Sequence, residues 1–416
     1  FYKMNETFLS EFNKRNYFNQ CTNSSELEQL MNSKKIRAYI GFDCTAPSLH
    51  VGSLLQIMCL RLLQKYGHQP IVLLGGGTTR IGDPSGKEET RKILSEKEIN
   101  RNIKNIEKVL KIFLKTKDKK IKPVFVNNFT WLGKLNYINF LREIGKHFTV
   151  NKMLSFESVK LRLEREQSLS YMEFNYMILQ AYDFLELNKK KNCILQIGGS
   201  DQWGNIVNGV ELIKRCNNKQ TFGLTTPLIT LASGAKMGKS EKGAIWLDKR
   251  FLSSYEYWQF WRNTDDNDVL NFLKMFTDLD INQIEKLSKE YQNINSLKIL
   301  LANETTKMLH GETAAKKAQK TAKEIFQNKS VGSELLTINI NKKIISDGIN
   351  VIDFISLSKL FNSKSEIRRA IKNRGIRLNN NIVEDEKNNI SMFDFNENQI
   401  LKVSHGKKQH VIMKIN

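Results

Sequence analysis

The chain has 416 residues, with 65 Lys+Arg against 43 Asp+Glu, a formal net charge of +22 and a 40% hydrophobic content. Together with its 23 glycines this is a globular composition, long enough for two to four domains, and it excludes a disordered chain. No run approaches the roughly 18 apolar residues of a membrane span. The opening FYKMNETFLSEFNK lacks the apolar core of a secretory signal. Cys21, Cys44, Cys59, Cys193 and Cys216 form no CxxC pair, which argues against a disulfide framework or a thiolate metal site. The positive surplus points to a polyanionic partner, nucleic acid first, unless Lys is simply the favoured polar residue throughout.

Taken in chain order, apolar runs at 36–42, 70–76, 122–128 and 192–199 read as buried strands. Amphipathic segments at 53–66, 88–115, 134–146 and 171–187 read as helices between them. This alternation predicts an α/β fold with a doubly wound parallel sheet, whose ligand sits beyond the carboxyl ends of the strands. The polar motifs fall at those ends. TAPSLHVGS (45–53) follows the first strand and sets His50 and Gly52 at a helix N-terminus, where unpaired amides favour phosphate; the alternative is an ordinary cap by Ser48 or Ser53. GGGTTRIGDPSGK (75–87) follows the second. It carries five glycines but no P-loop, because Lys87 is followed by Glu88, and it leaves Asp83 in a turn where it either holds an ammonium group or merely shapes the turn.

In 171–187, Tyr176, Gln180 and Asp183 stand at i, i+4 and i+7 and share one polar stripe on an otherwise apolar helix. They are either satisfied core groups or the wall of a pocket for a small polar ligand. GGSDQWGN (198–205) ends the fourth strand and brings Asp201 and Gln202 within reach of ribose hydroxyls or a substrate carbonyl. SGAKMGKSE (233–241) is a glycine-rich loop with Lys236, Lys239 and Ser240, whose ammonium groups suit a triphosphate or departing pyrophosphate. From about 250 to 326 the pattern is helical; 327–349 reads as a linker. Residues 350–416 give a helix, a basic helix with Lys364, Arg368, Arg369 and Lys372, and a turn at Gly375 into a strand, a small α+β domain.

Jointly these strings resemble bacterial-type tyrosyl-tRNA synthetases of the first synthetase class. HVGS is similar to the HIGH signature and KMGKS to KMSKS, while YIGFDCTAPSLH, GGSDQWGN and FNYMILQAYDF resemble strings of the tyrosyl members. The resemblance implies a Rossmann-like catalytic domain at 1–249, a helical anticodon-side domain at 250–326 and a tail like an RNA-binding ribosomal protein. It implies that Tyr39 and Asp183 bond the tyrosine phenol, while Asp83, Tyr176 and Gln180 hold its ammonium group. Gly41, Asp43, Gly52 and Asp201 would lie along ATP, Gln202 near the reacting carboxylate, and Thr45, His50, Lys236, Lys239 and Ser240 at the phosphates. Lys87 and Arg91 would assist the phosphates or the tRNA acceptor end. Ser53 stands where HIGH has its second histidine.

The implied activity is a tyrosine–tRNA ligase using L-tyrosine, ATP with Mg²⁺ and tRNA(Tyr), with no protein-held metal. It would be cytoplasmic and not membrane-bound, and would form a homodimer through residues 130–170. The competing reading is a non-catalytic RNA-binding or RNA-folding protein on the same scaffold, which accounts for the charge but not for Tyr39, Asp83, Asp201 and the loop lysines together.

Overall fold

The computed structural model describes residues 6–84, 94–232, 234, 237–240, 243–290, 293–326, 336–346, 348–396, 399–406 and 409–415. The chain divides into two compact units, Phe1–Leu252 with Arg262–Leu309, and Ser253–Trp261 with His310–Asn416.

The first unit is built on six strands, β1 (Gln20–Cys21), β2 (Arg37–Asp43), β3 (Gln69–Gly75), β4 (Val124–Asn127), β5 (Cys193–Gly199) and β6 (Phe222–Thr226), in spatial order β1-β6-β5-β2-β3-β4. All neighbours from β6 to β4 run parallel; only the two-residue β1 is antiparallel. β3 is buried along nearly its whole length, as expected for a sheet covered on both faces. The helix Leu54–Lys65 packs with Glu96–Phe113, and Tyr176–Lys191 packs with Trp203–Asn217. From β2 the sheet proceeds to β3 and β4 on one side and to β5 and β6 on the other. The crevice between the carboxyl ends of β2 and β5 is therefore the topological switch point where such sheets bind ligands. β6 escaped the sequence reading because FGLTT, short and rich in Gly and Thr, lacks an apolar run.

Helix boundaries follow local chemistry. The segment expected at 88–115 is helical over Glu96–Phe113, opened by a capping box in which Ser95 and Glu98 bond each other's backbone; its first residues lie outside the described ones. The helix expected at 171–187 is two, Tyr171–Phe174 and Tyr176–Lys191, joined at Asn175 and closed by Asn192 in the left-handed conformation. In place of 134–146 there is the shorter helix Tyr137–Glu143.

A two-stranded hairpin, β7 (Lys239–Ser240) with β8 (Gly243–Ala244), completes the strands of the first unit. The second unit contains β9 (Thr337–Ile340), β10 (Ile349–Asn350), β11 (Ile376–Leu378), β12 (Asn381–Ile382), β13 (Asn389–Ile390), β14 (Ile400–His405) and β15 (Gln409–Ile415). Five of them form a sheet in the order β12-β11-β14-β15-β9. The linker expected at 327–349 is thus corrected in its second half: β9 lies within it and pairs in parallel with β15, with Ile340 buried in the module's core. Its alternating TINI pattern is that of a half-exposed edge strand, which polar flanks disguise. Helices Val351–Leu357 and Lys364–Lys372 pack together, and the second carries the basic residues.

Candidate active site

A cleft of about 340 Å³ opens at the switch point. Tyr39, Gly41 and Asp43 reach it from β2, Asp83 from the loop after β3, Tyr176, Gln180 and Asp183 from one helix stripe, and Asp201 and Gln202 from the turn after β5. The geometry at its centre depends on Gly75. Asp43 and Gly75 are register partners at the ends of β2 and β3, and a Cβ on Gly75 would stand 2.2 Å from Asp43 Oδ1. The bare backbone lets Asp43 accept from Thr78 Oγ1 at 2.7 Å and from the Tyr176 hydroxyl at 2.9 Å. Burial, then the neighbouring Asp43 and Asp83, push the Tyr176 phenol well above its usual pKa, so it stays a proton donor.

At the inner end, Asp183 is 1% exposed and accepts from Trp131 Nε1 at 2.7 Å and Asn128 Nδ2 at 2.9 Å. Burial raises its carboxyl to about 7, against the opposing pull of those two donors. Asn128 is wholly buried and also bonds the Gly77 amide and Thr78 Oγ1, so one side chain ties Asp183 to the loop that holds Asp43. Beside them the Tyr39 hydroxyl is buried with no hydrogen-bond partner among the described residues, as is Gln196 Oε1 on the neighbouring strand. Burial and the adjacent Asp183 keep Tyr39 protonated. The end of the slot thus presents a carboxyl group and an unpaired phenol to an entering ligand. Buried polar groups in native proteins are ordinarily paired, so an unpaired phenol at a cleft floor marks a ligand position.

Toward the rim, Gln202 Nε2 donates to Asp83 at 2.9 Å and to Asp201 at 3.3 Å. Asn205 Nδ2 donates to Gln180 at 3.1 Å and Gln202 at 3.2 Å, linking the helix stripe to the β5 turn. Four aspartates and no Lys or Arg line the described cleft. Such a site attracts an ammonium group, and phosphates entering it need cations brought from outside its walls.

The remaining expected residues lie elsewhere. Thr45 and His50 do not line the cleft, although Gly52 and Ser53 do. His50 caps its own turn, its Nδ1 accepting from the Gly52 amide at 3.0 Å, and its ring stands edge-on to Trp246 at 6.3 Å. Gly238, at φ +130°, lies against that ring: a Cβ there would meet His50 Nδ1 at 2.8 Å. The loop expected to carry the phosphate lysines is therefore in contact with the histidine motif through a glycine. Lys239 and Ser240 form β7, with only their backbone described; Lys87, Arg91 and Lys236 lie outside the described residues. Lys364, Arg368, Arg369 and Lys372 belong to the second unit, where Lys364 pairs with Asp353 at 2.6 Å and Arg368 with Glu386 at 3.8 Å. Sequence reasoning missed Asn128, Trp131, Thr78, Gln196 and Asn205. The only local sign of Asn128 was its place directly after a strand, which does not show what it faces.

A parallel sheet with a histidine–glycine turn, an acidic switch-point cleft and a glycine-rich basic loop defines a nucleotide-dependent enzyme that recognises an amino acid. The family model for class I tRNA synthetases of tryptophan and tyrosine matches residues 31–327. The tyrosine–tRNA ligase of Pelagibacter ubique is 68% identical over 404 residues, covering 97% of this chain and 98% of that one. That of Rickettsia typhi is 50% identical over 98% of this chain and its own full length. Among solved structures, a C-terminally truncated mitochondrial tyrosyl-tRNA synthetase of Aspergillus nidulans matches with TM-score 0.70 and 29% identity, over 78% of this chain and 95% of that one. The chain belongs to the class I tRNA synthetases of the tryptophan and tyrosine group, and within it to the tyrosine–tRNA ligases.

Proposed function

We infer that the protein activates L-tyrosine with ATP and transfers the tyrosyl group to the terminal ribose of tRNA(Tyr). The observation that carries the choice of tyrosine is the unpaired Tyr39 hydroxyl beside Asp183 at the floor of the cleft. A tyrosine side chain fills that position with a phenol, donating to Asp183 and accepting from Tyr39; phenylalanine offers neither donor nor acceptor, and the indole of tryptophan has a donor but no acceptor for the Tyr39 hydroxyl. Asp83, Tyr176 and Gln180 receive the ammonium group, which sets the substrate carboxylate near Gln202 and the ribose of ATP near Asp201, with Gly41, Asp43 and Gly52 along the nucleotide.

A carboxylate oxygen of tyrosine attacks the α-phosphorus and pyrophosphate departs, giving the adenylate. A ribose hydroxyl of tRNA then attacks the carbonyl carbon and AMP leaves. Positioning and stabilisation of charge suffice for both steps, with no covalent enzyme intermediate. Thr45, His50, Lys236, Lys239 and Ser240 serve the phosphates, and Lys87 and Arg91 the phosphates or the acceptor end. Mg²⁺ arrives on the nucleotide. The basic helix at Lys364, Arg368, Arg369 and Lys372 binds tRNA.

The protein works as a cytoplasmic homodimer. Support for the dimer comes from exposed apolar side chains in one stretch of the first unit, including Tyr137 at 57%, Ile138 at 67% and Val150 at 61%. No described helix is long and apolar enough to cross a membrane. Amino-acid-dependent ATP–pyrophosphate exchange with all twenty amino acids tests the central reading: exchange with tyrosine alone is expected, and exchange equally supported by tryptophan or phenylalanine overturns it.

A further inference from the structure

Ten of the 26 residues from 97 to 122 are Lys or Arg and three are acidic, so this short stretch holds +7 of the chain's +22. On the helix Glu96–Phe113, Lys97, Arg101, Lys104, Lys108 and Lys111 recur at spacings of four and three. They form one exposed stripe spanning about 21 Å at 1.5 Å per residue. The opposite face is buried through Ile99, Ile103, Ile106, Leu110 and Phe113. Lys115, Lys117, Lys119, Lys120 and Lys122 continue the line, all exposed. The acids do little to neutralise it. Glu98 is engaged in the helix cap, Asp118 accepts from the Lys120 amide, and Glu107 pairs with Lys111 at 2.5 Å.

We propose that this face binds the phosphate backbone of double-stranded RNA, apart from the cleft and independently of aminoacylation. None of these side chains lines the cleft; the helix starts on the carboxyl-end side, where Asn102 Nδ2 donates to the Cys44 carbonyl, and runs away from it. The cleft lies at the carboxyl ends of the strands, whereas the segment after Phe113 returns to their amino ends, where the Lys122 carbonyl accepts from Gln69 Nε2 at the start of β3. A line of cations far in excess of its acids matches a duplex, which presents one negative charge per about 1.7 Å of axis. A single strand is the poorer fit, because the exposed residues of the stripe include no aromatic side chain on which bases could stack, and the nearby Phe125 ring lies under the Lys111 ammonium group at 5.4 Å. An anionic membrane is also the poorer fit, because the helix's apolar face is turned into the protein and cannot insert.

The test uses the full chain and a duplex of about 20 base pairs unrelated in sequence to any tRNA, with binding read by fluorescence anisotropy between roughly 50 and 200 mM salt. Changing Lys97, Arg101, Lys104, Lys108 and Lys111 together to Gln keeps the helix and removes five charges. The slope of log affinity against log salt should become shallower by up to roughly 4.5, at about 0.9 per phosphate released, while tyrosine-dependent pyrophosphate exchange is unchanged. A control with Gln at Lys286, Lys289, Lys307, Lys316 and Lys320 loses the same charge and should bind like the parent. A second variant with Gln at Lys115, Lys117, Lys119, Lys120 and Lys122 covers any failure of the first to fold and should also flatten the slope. Equal slopes in parent and variants, or equal loss in the control, overturn the proposal. So does an effect confined to vesicles of phosphatidylglycerol.

Discussion

Asp183 combines two demands that conflict at the level of one residue: it is buried, and it must accept hydrogen bonds. Its carboxyl, at 3.8 in water, rises to about 7 in the fold. A raised acid contributes stability that is complete below its unfolded value and is lost as pH rises through the folded one, at most about 1.4 kcal/mol per pH unit between them. The stability advantage of the parent over Asp183→Asn should therefore shrink between about pH 4 and pH 7 in chemical denaturation. Tyrosine affinity should move oppositely, strengthening over the same interval as the carboxylate forms, and this pH dependence should vanish in Asp183→Asn; an unchanged profile removes Asp183 from phenol recognition. Tyr39→Phe removes a buried hydroxyl without a described partner, so the ligand-free protein should gain about 1 kcal/mol while discrimination between tyrosine and phenylalanine falls. Loss of stability with unchanged discrimination would mean that Tyr39 serves the core.

Among the elements, the turn after β4 does more than connect. Asn128 holds the Gly77 amide, Thr78 and Asp183 at once, so it couples the loop after β3 to the polar helix. Asn128→Ala should cost about 2–3 kcal/mol, since it orphans several buried groups. It should also weaken tyrosine binding more than ATP binding, as measured by equilibrium titration of each. The hairpin β7–β8 makes the complementary case. At φ +130° beside the imidazole, Gly238 is a residue that no other can replace without moving His50 or the loop. Gly238→Ala should slow adenylate formation at least about tenfold, equivalent to about 1.4 kcal/mol, with tyrosine affinity retained. Pre-steady-state kinetics separates the two, and an unaltered rate would detach this loop from catalysis. The same close contact gives a physical reason for a glycine where the KMSKS signature has serine.

For the whole molecule, the boundary of the C-terminal module matters. A cut near 341 would leave β9 attached to the wrong part, because its partner β15 is the last strand of the chain. A chain ending at 326 removes the five-stranded module with all of its own strands. It should retain tyrosine-dependent pyrophosphate exchange and charge tRNA poorly, with a shallower salt dependence of tRNA binding. Equal charging would take the module out of tRNA recognition.

Much of this protein is determined by its sequence alone. Apolar runs of strand length separated by amphipathic helices leave few topologies other than a parallel doubly wound sheet, and the polar strings after 36–42, 70–76 and 192–199 mark where its ligand sits. Those strings are local, so they can be read residue by residue. The tail's edge strand at Thr337–Ile340 was hidden because its pairing partner is more than seventy residues away, and pairing rather than propensity makes it a strand. Asn128 and Trp131 were hidden for the same reason: nothing near them in the chain shows that they face Asp183, and only packing brings the end of β4 against the helix Tyr176–Lys191. Tyr39 and Asp183 could be named from the sequence, but their chemistry could not. That one phenol is buried with no partner among the described residues, and that burial raises one carboxyl to about 7, are properties of the folded whole.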